Sequence, residues 1–127
     1  MNYHAMMKEY KRVDHTTKVE NEDSHGFVEL IFEELINNLK TLTYAMDNGP
    51  KISQIKSKSF SQSITSLMIL SSSLDFENGE PIASNLYNLY NYCRKTIISS
   101  FRNNSTNEID GCLEILSEIS DAWKQIK

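Results

Sequence analysis

The side chains best equipped for chemistry are few and scattered along the chain. Histidines stand at His4, His15 and His25, cysteines at Cys93 and Cys112, and an adjacent acid pair at Glu33 and Glu34. A metal centre needs such groups at ligand spacing, as in H-E-x-x-H or a Cys/His pair, and no histidine here has that setting. General acid–base work by Glu33 and Glu34 would require both carboxyls at one place, but neighbouring helical residues diverge by about 100° and do not share a site. A phosphotransfer histidine would have to lie exposed in mid-helix, followed by a lysine and a small residue, and none of the three does. Glycine-rich phosphate loops and the G-x-S-x-G nucleophile turn are also missing. The expectation is a protein that is not an enzyme and holds no cofactor and no metal.

Composition narrows the class further. A chain of 127 residues is expected to form one domain with a core that needs no crosslink. A formal charge of -4, with lysine and arginine scattered among acids, provides no basic stripe for phosphate backbones, so nucleic acid is not an expected partner. No window approaches the ~18 apolar residues of a membrane span, and the N-terminus lacks the apolar run of a secretory signal. Cys93 and Cys112 each fall on the apolar side of a helical pattern. They are expected to be reduced core thiols rather than a disulfide, in keeping with a cytoplasmic protein.

Four glycines and two prolines punctuate the chain, and strand-like alternation is absent from every long segment, which predicts few, long helices. Tyr3, Met6, Met7, Tyr10 and Val13 make one face of a short N-terminal helix, assigned to residues 1–18. After a polar connection, a helix opened by Asp23 or Ser24 runs to about Met46, where Asn48, Gly49 and Pro50 stop it. A serine-rich helix is predicted over about 52–74, held helical by packing because serine competes for backbone hydrogen bonds. Another covers Ile82 to about Phe101, and a last one opens with Ser105 and Glu108 as a capping box. Short loops between long helices force antiparallel neighbours. The predicted architecture is all-α: an antiparallel up-down four-helix bundle over residues 19–127, with the short N-terminal helix packed across it.

The helix after Asp23 is greasier than one core contact requires. Phe27, Val28, Ile31, Phe32, Leu35, Ile36, Leu39 and Leu42 spread over about half of its circumference, against a usual stripe of a little over ~100°. Two readings fit: a central helix touching neighbours on both flanks, or a helix that lines a groove for another chain. Leu30, Tyr44, Ile69 and Tyr92 also fall outside the main stripe of their own helices.

Three stretches resemble the flagellar secretion chaperone family, FliS. In "SHGFVELIFEELINNL" the residues His25, Phe27, Val28, Leu30, Ile31, Phe32, Glu33 and Ile36 occupy the family's pattern positions. In "SLDFENGEPIASNLYNLYNYC" the matches are Ser73, Leu74, Asp75, Gly79, Ile82, Ala83, Leu86, Leu89, Tyr90 and Tyr92, and the closing "ISDAWKQI" matches through Ala122, Trp123 and Ile126. There are departures. Glu34 and Glu80 stand where the family has glycine, Ser100 to Asn103 lack its Ala-Asn, and its Tyr-x-x-Tyr is replaced by the more widely spaced Tyr3 and Tyr10.

The resemblance implies a cytosolic chaperone that binds the C-terminal segment of flagellin, prevents premature polymerisation and aids delivery to the type III export apparatus. The export gate and other flagellar regulators or co-chaperones are further implied partners. It also implies that the chaperone's own N-terminal segment can occupy part of the client's groove. On that basis the expected partner-binding residues are Tyr3, Met7, Tyr10, Leu30, Phe32, Ile69, Tyr87 and Tyr92. The divergent N-terminus and absent glycines keep a second reading open, a regulatory helical-bundle adaptor that binds another flagellar or regulatory protein without flagellin as client.

Overall fold

A helix can only stop where its last carbonyls find other donors, and the chain supplies these stops at regular intervals. The computed structural model describes residues 23–49 and 53–126. Within them lie four helices: α1, Asp23–Asp47; α2, Ser53–Ser72; α3, Ile82–Asn103; and α4, Asn107–Gln125. No strand occurs among the described residues. The N-terminal helix expected over 1–18 lies outside them.

α1 ends where Asn48 donates its side-chain amide to the Tyr44 carbonyl (2.7 Å) and Gly49 turns left-handed at φ 81°. In α2 the serines bond inward to their own helix, Ser59 Oγ to Ile55 O (2.7 Å) and Ser63 Oγ to Ser59 O (2.8 Å). Both can therefore be buried without an unsatisfied hydroxyl. Glu80 does local work: its carboxylate accepts from the Ser84 backbone N–H (2.8 Å) and from the Ser84 hydroxyl (2.5 Å). An otherwise orphaned donor in the first turn of α3 is thereby satisfied.

The start of α4 differs from expectation. The helix begins at Asn107 after Thr106, with no side-chain cap, so the Ser105–Glu108 capping box does not form. The reason is geometric. Asn104 takes the left-handed conformation (φ 53°), and the Ser105 N–H closes the preceding helix on the Ser100 carbonyl (3.0 Å), so Ser105 is already committed to the end of α3.

Each helix packs against the next, and α1 also packs against α4, consistent with an up-down four-helix bundle. The breadth of α1 is largely explained by this. Phe27, Ile31, Leu35, Leu39 and Leu42 face the interior, joined by Phe32 and Met46, because α1 has α2 on one flank and α4 on the other. Leu67, Leu70, Tyr90, Cys93, Ile97, Ile109, Cys112 and Leu116 complete the core. Both cysteines are free and buried, as their position on apolar stripes predicted. A hydrogen bond with Cys112, and burial, hold the Cys93 thiol well above the usual thiol range. No helix among the described residues is long and apolar enough to cross a membrane.

Candidate partner-binding groove

In an up-down bundle the start of α1, the end of α2, the start of α3 and the end of α4 meet at one end. There the core stripes run out of covering layers, and an apolar groove of about 480 Å³ opens. Val28 and Phe32 of α1 and Leu70 of α2 form its floor and flank. Leu74, Asp75 and Gly79 of the α2–α3 loop line one rim; Ile82, Leu86 and Tyr90 of α3, and Ile119, Trp123 and Ile126 of α4, complete the walls. Ile82 and Ile126 are more than half exposed at its mouth. Isolated apolar residues on a surface are ordinary, but a contiguous concave set of this kind marks an interaction site.

Two local structures fix the rims. At one, His25 and Trp123 hold each other: His25 Nε2 donates to the Trp123 carbonyl (2.8 Å), Trp123 Nε1 donates to the His25 carbonyl (3.0 Å), and the rings stack 4.6 Å apart at 13°. The start of α1 is tied in this way to the end of α4, and the indole is set as a wall. At the other rim, Asp75 accepts from the Asn78 side chain (3.0 Å), the Asn78 N–H (3.1 Å) and the Glu77 N–H (3.0 Å). Those donors, Asn78 foremost, hold its carboxyl below the usual carboxylate range. Gly79 comes so close to Asp75 that a Cβ there would lie 2.6 Å from the Asp75 carbonyl oxygen. Burial, with Cys93 alongside, pushes the Tyr90 phenol up, so it stays protonated.

Two further concavities adjoin the helix seams. One, of about 400 Å³, lies between α2 and α3 over Leu67, Met68, Ser71, Tyr87, Tyr90, Asn91 and Arg94. The other, of about 280 Å³, is polar and lies between α1 and α4 around Glu33, Asn37, Asp121 and Lys124. Among the described residues no three His, Cys, Asp or Glu side chains converge to hold a metal ion.

Of the eight residues expected to bind a partner, five lie among the described residues, and these do not share one concavity. Phe32 is buried but lines the groove as floor. Tyr87 is half exposed, lines the α2–α3 concavity and meets Phe76 edge-on (6.0 Å). Ile69 is 2 % exposed and belongs to the core, because α2 packs on both α1 and α3 and so buries a wider arc than one stripe. Leu30 is half-buried and Tyr92 exposed, and neither lines these three concavities. Tyr3, Met7 and Tyr10 lie outside the described residues. Ile82, Leu86, Ile119, Trp123 and Ile126, none of them among the eight, are residues the groove displays. Their nearness to helix ends was the available signal, since a stripe residue in the last turn has a neighbour on one side only.

A family model described as flagellar protein FliS matches residues 6–127. Among curated proteins, the flagellar secretion chaperone FliS of Vibrio cholerae is 28% identical over 120 residues, covering 94% of this chain and 87% of that protein. The protein of the same name from Salmonella typhimurium is 28% identical over 121 residues, covering 94% and 88%. Flagellar secretion chaperone FliSB of Pseudomonas aeruginosa is 26% identical over 122 residues, covering 94% of each. These relatives are chaperones and not enzymes. A chain whose described residues form four helices around an apolar groove, and whose match runs over almost its whole length, belongs to the flagellar protein FliS family of secretion chaperones.

Proposed function

We propose that this chaperone acts in the cytoplasm on the C-terminal segment of flagellin, keeps it from polymerising early and hands it to the flagellar export apparatus. The observation that carries the reading is the apolar groove at the end of the bundle, walled by α1, α3 and α4 and open at Ile82 and Ile126. An unfolded export client loses conformational entropy as it orders on a surface, so its affinity has to come from apolar area and several anchor pockets. A groove with aliphatic and aromatic walls takes the apolar face of an amphipathic segment, read at i, i+3 and i+4. The N-terminal stripe of Tyr3, Met7 and Tyr10 has the same character, and in this reading it shares that groove until the client replaces it.

The test is to mix the purified full chain with flagellin that retains or lacks its C-terminal segment. A complex at micromolar concentration with the first and not the second is the expected result. No complex with either would overturn the reading and leave the regulatory-adaptor alternative.

A further inference from the structure

The apolar groove is not the end of the organised surface. Tyr90 lines it on one side and lines the α2–α3 concavity on the other, so the two depressions share a wall. Their chemistry differs. The groove is nearly all hydrocarbon, whereas the second depression has an apolar floor, Leu67 and Met68, and one cation, Arg94. On α3, Arg94 follows Tyr90 by four residues, about 6 Å along one face of the helix.

Arg94 is held rather than loose. Its Nε and Nη2 both donate to Asn91 Oδ1, at 3.2 and 2.9 Å. One edge of the planar guanidinium is thus braced by a neutral amide, and its remaining donors are left over. Among the described residues no carboxylate pairs with it, although acids outnumber lysine and arginine 17 to 13 in the chain. A half-buried cation beside hydrocarbon, braced by a neutral group and with no counter-ion among the described residues, is arranged for an anion brought from outside.

We infer that the α2–α3 concavity binds an Asp or Glu side chain of the same client segment that fills the apolar groove. The acid would lie about one helical turn beyond the client residue that packs on Tyr90. This deepens the reading given under Proposed function and rests on it. A side-chain carboxylate fits better than a chain terminus. Terminal carboxylates are captured by clusters of backbone N–H groups, and the walls here belong to α2 and α3 beyond their first turns, where the N–H groups are already spent within the helices. The contact gives selectivity: any greasy amphipathic segment satisfies the groove, but only one with an acid at the right distance also satisfies Arg94.

The experiment uses the full chain and a synthetic peptide of the flagellin C-terminal segment, followed by calorimetry at about 50 and about 500 mM salt. Arg94→Gln, checked for unchanged helicity by circular dichroism, should weaken binding about 10-fold at low salt, the order expected of a charge-assisted hydrogen bond, and flatten the salt dependence. Arg94→Lys should recover part of the loss. Among peptides carrying single Asp→Asn or Glu→Gln changes, one should weaken the wild type by a similar factor and have no further effect on Arg94→Gln. Equal affinity of Arg94→Gln and wild type for the unmodified peptide would overturn the inference while leaving the groove reading intact. Sensitivity to amidation of the peptide's C-terminus, with every side-chain change neutral, would overturn it in favour of the terminus. A wild type that binds no peptide at all would overturn both readings.

Discussion

Replacing His25 with alanine removes one half of the clasp between the start of α1 and the end of α4 and leaves the other half chemically possible. The ring contributes the bond from Nε2 to the Trp123 carbonyl (2.8 Å) and the stack at 4.6 Å; the Trp123 Nε1 bond goes to the His25 backbone and does not need the ring. The Trp123 carbonyl also accepts from the Ile126 N–H (3.1 Å), so the substitution does not orphan it. The loss is then the net value of one hydrogen bond, about 1 kcal/mol, plus about 1 kcal/mol for the stack. At about 4 °C per kcal/mol for a chain of this size, Tm should fall by roughly 8 °C. Calorimetry reads the stability. Fluorescence reads the geometry directly, because Trp123 is the only tryptophan in the sequence and its emission should move to longer wavelength as the indole gains solvent. Trp123→Phe, which keeps a ring but drops the Nε1 donor, should cost about 1 kcal/mol, and in the double variant the two losses should sum to less than their separate values. A Tm within about 1 °C of wild type, with unshifted emission, would show that the contact holds nothing and that the groove wall is set by other packing.

Gly79→Ala should cost about 1–3 kcal/mol, since its Cβ would collide with the Asp75 carbonyl at 2.6 Å and break the 2.8 Å bond from the Gly79 N–H to that oxygen; client binding should weaken with it. The Asp75 carboxyl titrates below its ordinary 3.8 because the Asn78 side chain and the Asn78 and Glu77 N–H groups favour its charged form. The folded state therefore binds fewer protons than the unfolded one, and the order this lends the loop is complete above pH about 4 and lost as pH falls through the depressed value. The amide resonances of Glu77 and Asn78 should accordingly hold steady down to that pH and move beneath it. Cys93 and Cys112 should resist a thiol reagent in the folded protein and react together on addition of denaturant; rapid reaction of either under native conditions would contradict their burial. Removal of residues 1–18 should leave the helical content of the bundle in place and raise client affinity or leave it unchanged, whereas wholesale unfolding would make that segment part of the core.

The four helices were legible in the sequence because each is a long apolar stripe between breaks, with Asn48, Gly49 and Pro50 marking the first. The α3–α4 junction was misread because S-x-x-E describes one helix start in isolation. Here Ser105 sits close enough to the end of α3 for its N–H to be used there first. The groove was the harder inference. Periodicity identifies which residues face inward but not how deep in the bundle they lie, so it did not mark Ile82, Leu86 and Trp123 as groove walls, and Ile69, off the main stripe, looked like surface. The quantity that separates them is position along the bundle axis, which depends on how four helices of 25, 20, 22 and 19 residues are staggered. Arg94 was invisible for a related reason. One arginine among scattered charges has no meaning until the fold shows what stands beside it.

The serines of α2 carry a consequence for how the family can drift. Ser59 and Ser63 are buried, yet their hydroxyls answer to carbonyls of the same helix, so the polar bond and the tight interior are separate matters. Exchange for alanine forfeits only a local bond, whereas valine or leucine would add side-chain volume at a position already buried against its neighbours. What selection sees at these two positions is bulk, and a distant relative that has lost every hydroxyl there can keep the same spacing between its helices.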